Sequence, residues 1–269
     1  MPVAVITGSG RGIGRALALG LAQSGWSVAG LRRDGATRDE LAAGARGILR
    51  SYQGDVTDEA SLRAAFASAT ADLGAIDLVV ANAGVFSVAG PTWQVDPDAW
   101  WNEVTVNLRG AMLTAAVAIP FLQADGGGRL VLVSSGIGSN PSPFATAYGA
   151  SKAAVTQLAA SLDAELEPTP VRVFAISPGM VRTDMTNWSP EYLKYRPDLG
   201  ELPDSAYLNA EPVLELVRAI GSGETDDLRG RYLHSSDDLA AVRTGVLADP
   251  ARARHLGLIG YGPQDPLGS

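Results

Sequence analysis

From Val3 to Gly14 the chain reads V-A-V-I-T-G-S-G-R-G-I-G. An apolar run of strand length is followed by glycine at 8, 10, 12 and 14, then by a segment with Leu17 and Leu21 on one helical face and Gly25 as its stop. A strand that turns this tightly into a helix commits the chain to a parallel β-α-β course, because the helix must carry the backbone along the sheet before the next strand can start. The same rhythm continues. Runs rich in Val, Ile and Leu predict strands at Val3–Thr7, Ser27–Leu31, Leu49–Gln53, Leu78–Ala81, Arg129–Ser134, Arg172–Ile176 and Gly230–His234, with the near-continuous apolarity of strands covered on both faces. Helical spacing predicts helices over Gly12–Ser24, Asp58–Leu73, Asp98–Gln123 and Ala147–Glu167; the last keeps Val155, Leu158, Leu162 and Leu166 in step and has Pro168 just beyond it.

The fold class that follows is α/β: a single Rossmann-type domain over residues 1–269, with a doubly wound parallel sheet of about seven strands and helices on both faces. Composition narrows the function classes. With no cysteine, disulfides, thiolate metal sites and a Cys nucleophile are excluded, and two histidines, His234 and His255, are too few for a metal cluster. A net charge of −8 without a basic block argues against nucleic acid as a partner. No apolar run approaches the roughly 18 residues of a membrane span, and the chain starts on a strand rather than a basic and apolar leader, so the expectation is a cytoplasmic protein without a membrane partner. Between Thr186 and Pro212 the periodicity lapses into Pro, Tyr, Asp and Asn, the pattern of a substrate loop or lid. The stretch 249–269, with Pro250, Pro263 and Pro266, reads as a loosely packed tail or one that crosses to a neighbouring subunit.

A glycine turn between strand and helix leaves backbone N–H groups and a helix N-terminus facing outward, where they can hold a pyrophosphate. The common spacing G-x-G-x-x-G is absent, since the sixth residue from Gly8 is Ile13 and from Gly10 is Arg15. By themselves these residues also suit a purely structural turn. What does fit is T-G-x-x-x-G-x-G through Thr7, Gly8, Gly12 and Gly14, which resembles the nucleotide loop of the short-chain dehydrogenase/reductase family. Further elements of that family recur in order up to Met185: "GDVTD" with Asp55 and Val56, "NAG" with Asn82, Ala83 and Gly84, "VNLRG" with Asn107, then Ser135, "YGASK" with Tyr148 and Lys152, and "SPGMVRT" with Pro178, Gly179, Val181 and Thr183. The resemblance implies a nicotinamide dinucleotide held by these residues together with Arg11 and Ile13, with Asp55 and Val56 at the adenine. The chain departs from the family's V-D-G-G-type ending, reading "GRYLHSSDDLAAV" instead, with Asp237 and Asp238 placed as the exposed start of a helix.

Tyr148 and Lys152 stand four apart, on one face of a helix, where an ammonium favours the phenolate and draws the phenol pKa toward working pH. Ser135 precedes Tyr148 by thirteen residues at a strand's C-terminal end, the family's spacing, which favours it over Ser134. Asn107 interrupts a helix in which Asn is a poor former. The resemblance implies hydride transfer between the nicotinamide and a ketone or secondary alcohol without a metal. In that scheme Tyr148 is the general acid/base, Ser135 hydrogen-bonds the reacting oxygen, Lys152 tunes Tyr148 and reaches the ribose, and Asn107 holds a water that links Lys152 to solvent.

At the tip of the second strand the chain reads "GLRRD". Arg32 stands where the family's NAD enzymes carry Asp, with Arg33 beside it, and guanidiniums match the 2′-phosphate of NADP(H); Arg11 is a third candidate. Asp34, about twenty residues beyond Gly14, is the feature that keeps NAD(H) as the alternative. Met185, Trp188, Tyr192 and Tyr195 would form one pocket wall, and Trp93, Pro143 and Phe144 another, which points to an apolar or cyclic carbonyl compound or alcohol. Trp100 and Trp101 show that aromatic residues here also suit core or interface. The resemblance further implies a homo-oligomer, tetramer or dimer, built on the helices carrying Asn107 and Tyr148. A reading from another class, a catalytically silent dinucleotide sensor on the same fold, has no use for an intact Ser135, Tyr148 and Lys152.

Overall fold

The computed structural model describes residues 1–34, 38–40 and 46–249; the predicted tail from 250 onward lies outside the described residues. Among the described residues eight strands form one sheet: β1 (Val3–Thr7), β2 (Ser27–Arg32), β3 (Arg38–Glu40), β4 (Ile48–Gln53), β5 (Leu78–Ala81), β6 (Gly128–Val133), β7 (Val171–Ser177) and β8 (Tyr232–His234). Their spatial order is β3-β4-β2-β1-β5-β6-β7-β8. Seven are parallel and are the predicted ones; β3 is an added edge strand, antiparallel to β4, that the sequence pattern did not announce.

Helices α1 (Gly12–Gln23), α2 (Glu59–Leu73), α3 (Pro97–Val104), α4 (Gly110–Ala124), α5 (Thr146–Glu165), α6 (Pro190–Tyr195), α7 (Glu211–Ser222) and α8 (Leu239–Ala248) complete the described fold. Alternate strand residues feed two cores. Val5, Leu31, Val79, Leu132 and Val173 face α2, α4 and α5 through Leu62, Phe66, Val117 and Val155. Ile6, Val28, Val80, Val131 and Phe174 face α1 and α7 through Leu17, Leu21, Leu214, Val217 and Ile220. Full burial of each such side chain contributes about 1.5–3 kcal/mol, so both faces must stay covered.

Three differences from expectation have physical causes. The helix predicted over Asp98–Gln123 contains a five-residue π-helical turn, Thr105–Arg109, between α3 and α4, and Asn107 sits inside it. The continuous stretch Pro97–Ala124 is, against expectation, long and apolar enough to cross a membrane, but half of its apolar window is buried inside the protein. A helix wedged between α2, α5 and the sheet needs that apolarity for the core. Finally, α6 lies within the segment predicted as loop, and α7 also went unread. Pro190 and Pro212, which looked like breakers, occupy the first turns of these helices, where proline is tolerated. Asp238 does cap a helix, accepting from the amides of Ala240 at 2.9 Å and Ala241 at 3.2 Å.

Candidate active site

Strand order reverses between β1 and β5, so the chain leaves the C-terminal ends of these neighbours in opposite directions and opens a crevice. Hydrogen bonds tie its two lips together. Thr7 Oγ1 accepts from the amides of Asn82 (3.0 Å) and Ala83 (3.1 Å), and Asn82 Nδ2 donates to the Thr7 carbonyl at 3.0 Å. Gly8, at φ +69°, passes so close that a Cβ would stand 2.9 Å from Ala83 Cα; a Cβ on Gly14 would stand 2.4 Å from both Asn82 Nδ2 and the Gly8 carbonyl. Gly12, at φ +55°, faces Thr183, whose Cγ2 would lie 3.4 Å from an added Cβ. Only Gly10 of the four has room, with Arg32 Cδ at an ordinary 3.8 Å and no positive φ. Helix α1 starts on Arg11 with no side-chain cap, leaving its first amides as donors toward the crevice, and Ile13 packs partly against the core below. Bare backbone and uncapped amides fit the pyrophosphate of a dinucleotide.

The remaining nucleotide candidates surround this loop. Strand β2 runs through Arg32, whose side chain lies beside Gly10; Arg33 and Asp34 follow, both exposed. Arg11 does not turn toward them but pairs with Asp184 at 3.1 Å, both side chains being largely exposed. The Asp55 carboxyl accepts from Thr57 through its amide (2.8 Å) and hydroxyl (2.7 Å), and the backbone bond above all holds its pKa below the usual carboxylate range. Val56 is a core residue against which α4 closes at Gly110. Beyond β7, the Pro178 carbonyl accepts from Ser235 Oγ at 2.8 Å, Gly179 takes φ +74°, Val181 bridges to Leu208, and Thr183 caps the short turn Asp184–Thr186.

Deeper in the crevice, Tyr148 and Lys152 on α5 are both nearly fully buried. Lys152 Nζ lies 5.6 Å from the Tyr148 ring centroid and donates to the Val133 carbonyl at 2.8 Å. Ser135, just past β6, is the neighbouring hydroxyl that eases ionisation of Tyr148, and the Tyr148 hydroxyl donates to Met185 Sδ at 3.6 Å. Ser134 is turned away, donating to the Lys152 carbonyl at 2.8 Å and meeting Thr156 Oγ1 at 2.7 Å. Gly84 completes the group: a Cβ there would press on Asn107 Oδ1 at 3.2 Å and Lys152 Nζ at 3.5 Å. The Asn107 amide is engaged in structure, accepting from Val85 N at 2.8 Å and donating to the Val85 carbonyl at 2.9 Å and to Ser151 Oγ at 3.2 Å.

Electrostatics within the protein alone run against the direction expected for Tyr148. Burial pushes the Tyr148 phenol up to about 12, with the Ser135 hydrogen bond working against it and Glu103 adding to it; Lys152 is not among the causes. Burial likewise pulls Lys152 down to about 8, opposed by Glu103. Desolvation, rather than the charge of the lysine four residues on, sets the direction.

Two neighbours escaped the sequence reading. Phe86, two residues past the "NAG" stretch, packs edge-on against Tyr148 (ring centroids 5.5 Å apart), Tyr192 (5.0 Å) and Trp188 (6.0 Å). Glu103, one turn before Asn107, is a carboxylate at 1% exposure whose pKa burial raises against hydrogen bonds from Ser87 and Val88. The available signal was an acid four residues before Asn107, which helical spacing puts on the same face. Of the predicted walls, Phe144 stacks on Tyr195 at 4.8 Å, whereas Trp93 is turned to solvent at 83% exposure and Pro143 is also exposed.

Residues 2–192 match the family model for short chain dehydrogenases. A cis-4-hydroxycyclohexanecarboxylate dehydrogenase of Sinomonas cyclohexanicum is 35% identical over 254 residues, 89% of this chain and 97% of that protein. A (-)-trans-carveol dehydrogenase of Rhodococcus erythropolis is 35% identical over 213 residues, 73% of this chain and 77% of that one. The crystal structure of carveol dehydrogenase from Mycobacterium avium in complex with NAD superposes with a TM-score of 0.75 at 27% identity, covering 87% of this chain and 95% of its own. Sheet order, glycine crevice and sequence match converge: the chain belongs to the short-chain dehydrogenase/reductase family of NAD(P)-dependent oxidoreductases.

Proposed function

We propose that the protein interconverts a cyclic or otherwise apolar ketone and its secondary alcohol with NADP(H), Tyr148 serving as general acid/base. One observation carries the reading: Tyr148 and Lys152 are buried together at the inner end of the glycine crevice, with Ser135 beside the phenol and the aromatic group of Phe86, Trp188 and Tyr192 packed against it. A nicotinamide held in the glycine crevice would supply the hydride chemistry at the substrate carbon. In reduction, Tyr148 gives its proton to the substrate oxygen as that oxygen becomes a hydroxyl; in oxidation, it takes the proton back. Ser135 hydrogen-bonds the same oxygen. Burial and Glu103 push the phenol up, and Lys152 is assigned to ease proton loss by turning its ammonium from the Val133 carbonyl toward the phenol and the ribose. Asn107, in the π-helical turn beside Lys152, holds the water through which the pair regains a proton from solvent.

Arg32 and Arg33 are assigned to the 2′-phosphate; Arg11 joins them only by leaving Asp184. That ion pair favours the second reading, the same chemistry with NAD(H), and the Mycobacterium avium relative was crystallised with NAD. The named relatives of carveol and hydroxycyclohexanecarboxylate support a cyclic alcohol as substrate class. Segment 186–212 acts as the substrate lid. The protein is assigned to the cytoplasm as a homo-oligomer, supported by exposed Trp101 and Met112 on the α3–α4 face, and sedimentation of Trp101→Glu against wild type tests that surface. The test of function is a panel of cyclic and acyclic ketones with NADPH and NADH. Turnover of cyclic ketones that falls at least about a hundredfold in Tyr148→Phe, with dinucleotide binding kept, supports the reading. Undiminished turnover in that variant removes Tyr148 from its role.

A further inference from the structure

We infer that Glu103 is a positioning residue for the substrate, acting through Phe86; the inference rests on the function proposed above and names what fixes one wall of its pocket. Glu103 and Asn107 lie four residues apart at the junction of α3 with the π-helical turn, and both reach the backbone that leaves β5. Asn107 holds Val85 through both its amide atoms. Glu103 Oε2 receives three donors: Ser87 N at 2.5 Å, Ser87 Oγ at 2.9 Å and Val88 N at 2.8 Å. Phe86 is thus held on both sides by one helix, and its ring is carried against Tyr148, Tyr192 and Trp188.

The other carboxylate oxygen, Oε1, is buried with no hydrogen-bond partner among the described residues. Burying a carboxylate with half its acceptor capacity unmet is unfavourable, and an apolar side chain would suit the packing better. The compensating gain is the loop. Three donors converge on one oxygen, and no apolar residue can gather them. The Tyr148 hydroxyl donates to Met185 Sδ, whereas Phe86 meets the Tyr148 ring, so a shift of Phe86 alters the space beside the phenol without removing that hydrogen bond.

The experiment compares Glu103→Gln, Glu103→Val, Phe86→Ala and the double variant Glu103→Val/Phe86→Ala on the best cyclic ketone of the panel. Glu103→Gln keeps an acceptor and should leave KM within about threefold of wild type. Glu103→Val should raise KM about tenfold with kcat within about threefold, and should add nothing once Phe86 is alanine. Unchanged KM in Glu103→Val, a fall in kcat alone, or losses in the double variant equal to the product of the two single ones would overturn the inference. If Glu103→Val fails to fold, Glu103→Asp, which withdraws the carboxyl by one methylene, is read the same way. Amide exchange at Ser87 and Val88 needs no substrate and separates the two claims. Should wild type turn over no ketone, the proposed function falls, while faster exchange at these amides in Glu103→Val than in Glu103→Gln still supports the clamp and equal exchange overturns it.

Discussion

The glycine loop yields a prediction whose size can be worked from its geometry: Gly14→Ala is damaging and Gly10→Ala is not. A methyl on residue 14 would arrive 2.4 Å from Asn82 Nδ2 and from the Gly8 carbonyl, about 1 Å inside the closest ordinary contact, and neither neighbour is the loose end of a flexible side chain. Either the loop lifts or Asn82 leaves the Thr7 carbonyl. Overpacking of this kind costs about 1–3 kcal/mol, and loss of the Asn82 hydrogen bond about 1 kcal/mol more, for a total of about 2–4 kcal/mol. For a chain of this size that lowers Tm by about 5–15 °C. Lifting the loop also withdraws amides from the pyrophosphate, so dinucleotide affinity should fall at least about tenfold. At residue 10 the nearest neighbour of the methyl is Arg32 Cδ at 3.8 Å and φ is not positive. There the substitution only narrows the unfolded ensemble and is neutral or stabilising by up to about 1 kcal/mol. Thermal unfolding of both variants and titration of nicotinamide fluorescence measure the two effects. Equal losses in Gly10→Ala and Gly14→Ala would refute the assignment of roles within the loop.

Three further outcomes are expected. Replacing Arg32 and Arg33 together by alanine should weaken NADPH binding about 10- to 100-fold while leaving NADH nearly unchanged, and a parallel loss for both would remove these arginines from 2′-phosphate recognition. Lys152, lowered from 10.5 to about 8 by burial, has already lost between those pH values a proton that the unfolded chain still binds, so stability attributable to it rises with pH across that window. Wild type should therefore gain about 2 kcal/mol over Lys152→Met between about pH 7.5 and 9.5 in denaturant unfolding, and parallel curves would contradict a buried, depressed lysine. With the phenol raised to about 12, reduction, which needs the protonated Tyr148, should hold steady from acid to neutral pH, whereas oxidation should climb with pH; oxidation equally fast at about pH 6 and 9 would show that the phenol is not the base.

Much of the architecture was legible because it follows from local rules. Parallel strands covered on both faces must be apolar throughout, which located all seven parallel strands with bounds within two residues of those found. What escaped has no comparable local signature. Strand β3 is three residues long and exists through its pairing with β4, a contact made at a distance in sequence rather than by the segment's own pattern. The π-helical turn at Thr105–Arg109 keeps the helical run of apolar residues unbroken, so only Asn107, a poor helix former, marked the place. Helices α6 and α7 were hidden behind prolines that break a helix in its interior and start one at its first turn.

For the site, sequence spacing reported which groups share a face but not how much water reaches them. Tyr148 and Lys152 do rise from one face of α5, yet the expectation that the ammonium would draw the phenol down left burial out of account. In the fold they are buried together, and removing water penalises the phenolate and the ammonium alike. Glu103 acts on both groups as well, in each case more weakly than burial. Its charge favours the lysine ammonium and disfavours the tyrosine phenolate, and burial, the larger effect, keeps the proton on Tyr148, the form that can donate to a carbonyl oxygen. The same carboxylate gathers the loop that carries Phe86. One residue that no motif singles out is thereby placed to influence both the protonation of the acid and the shape of the space in front of it, because a buried charge acts through every neighbour it cannot be screened from.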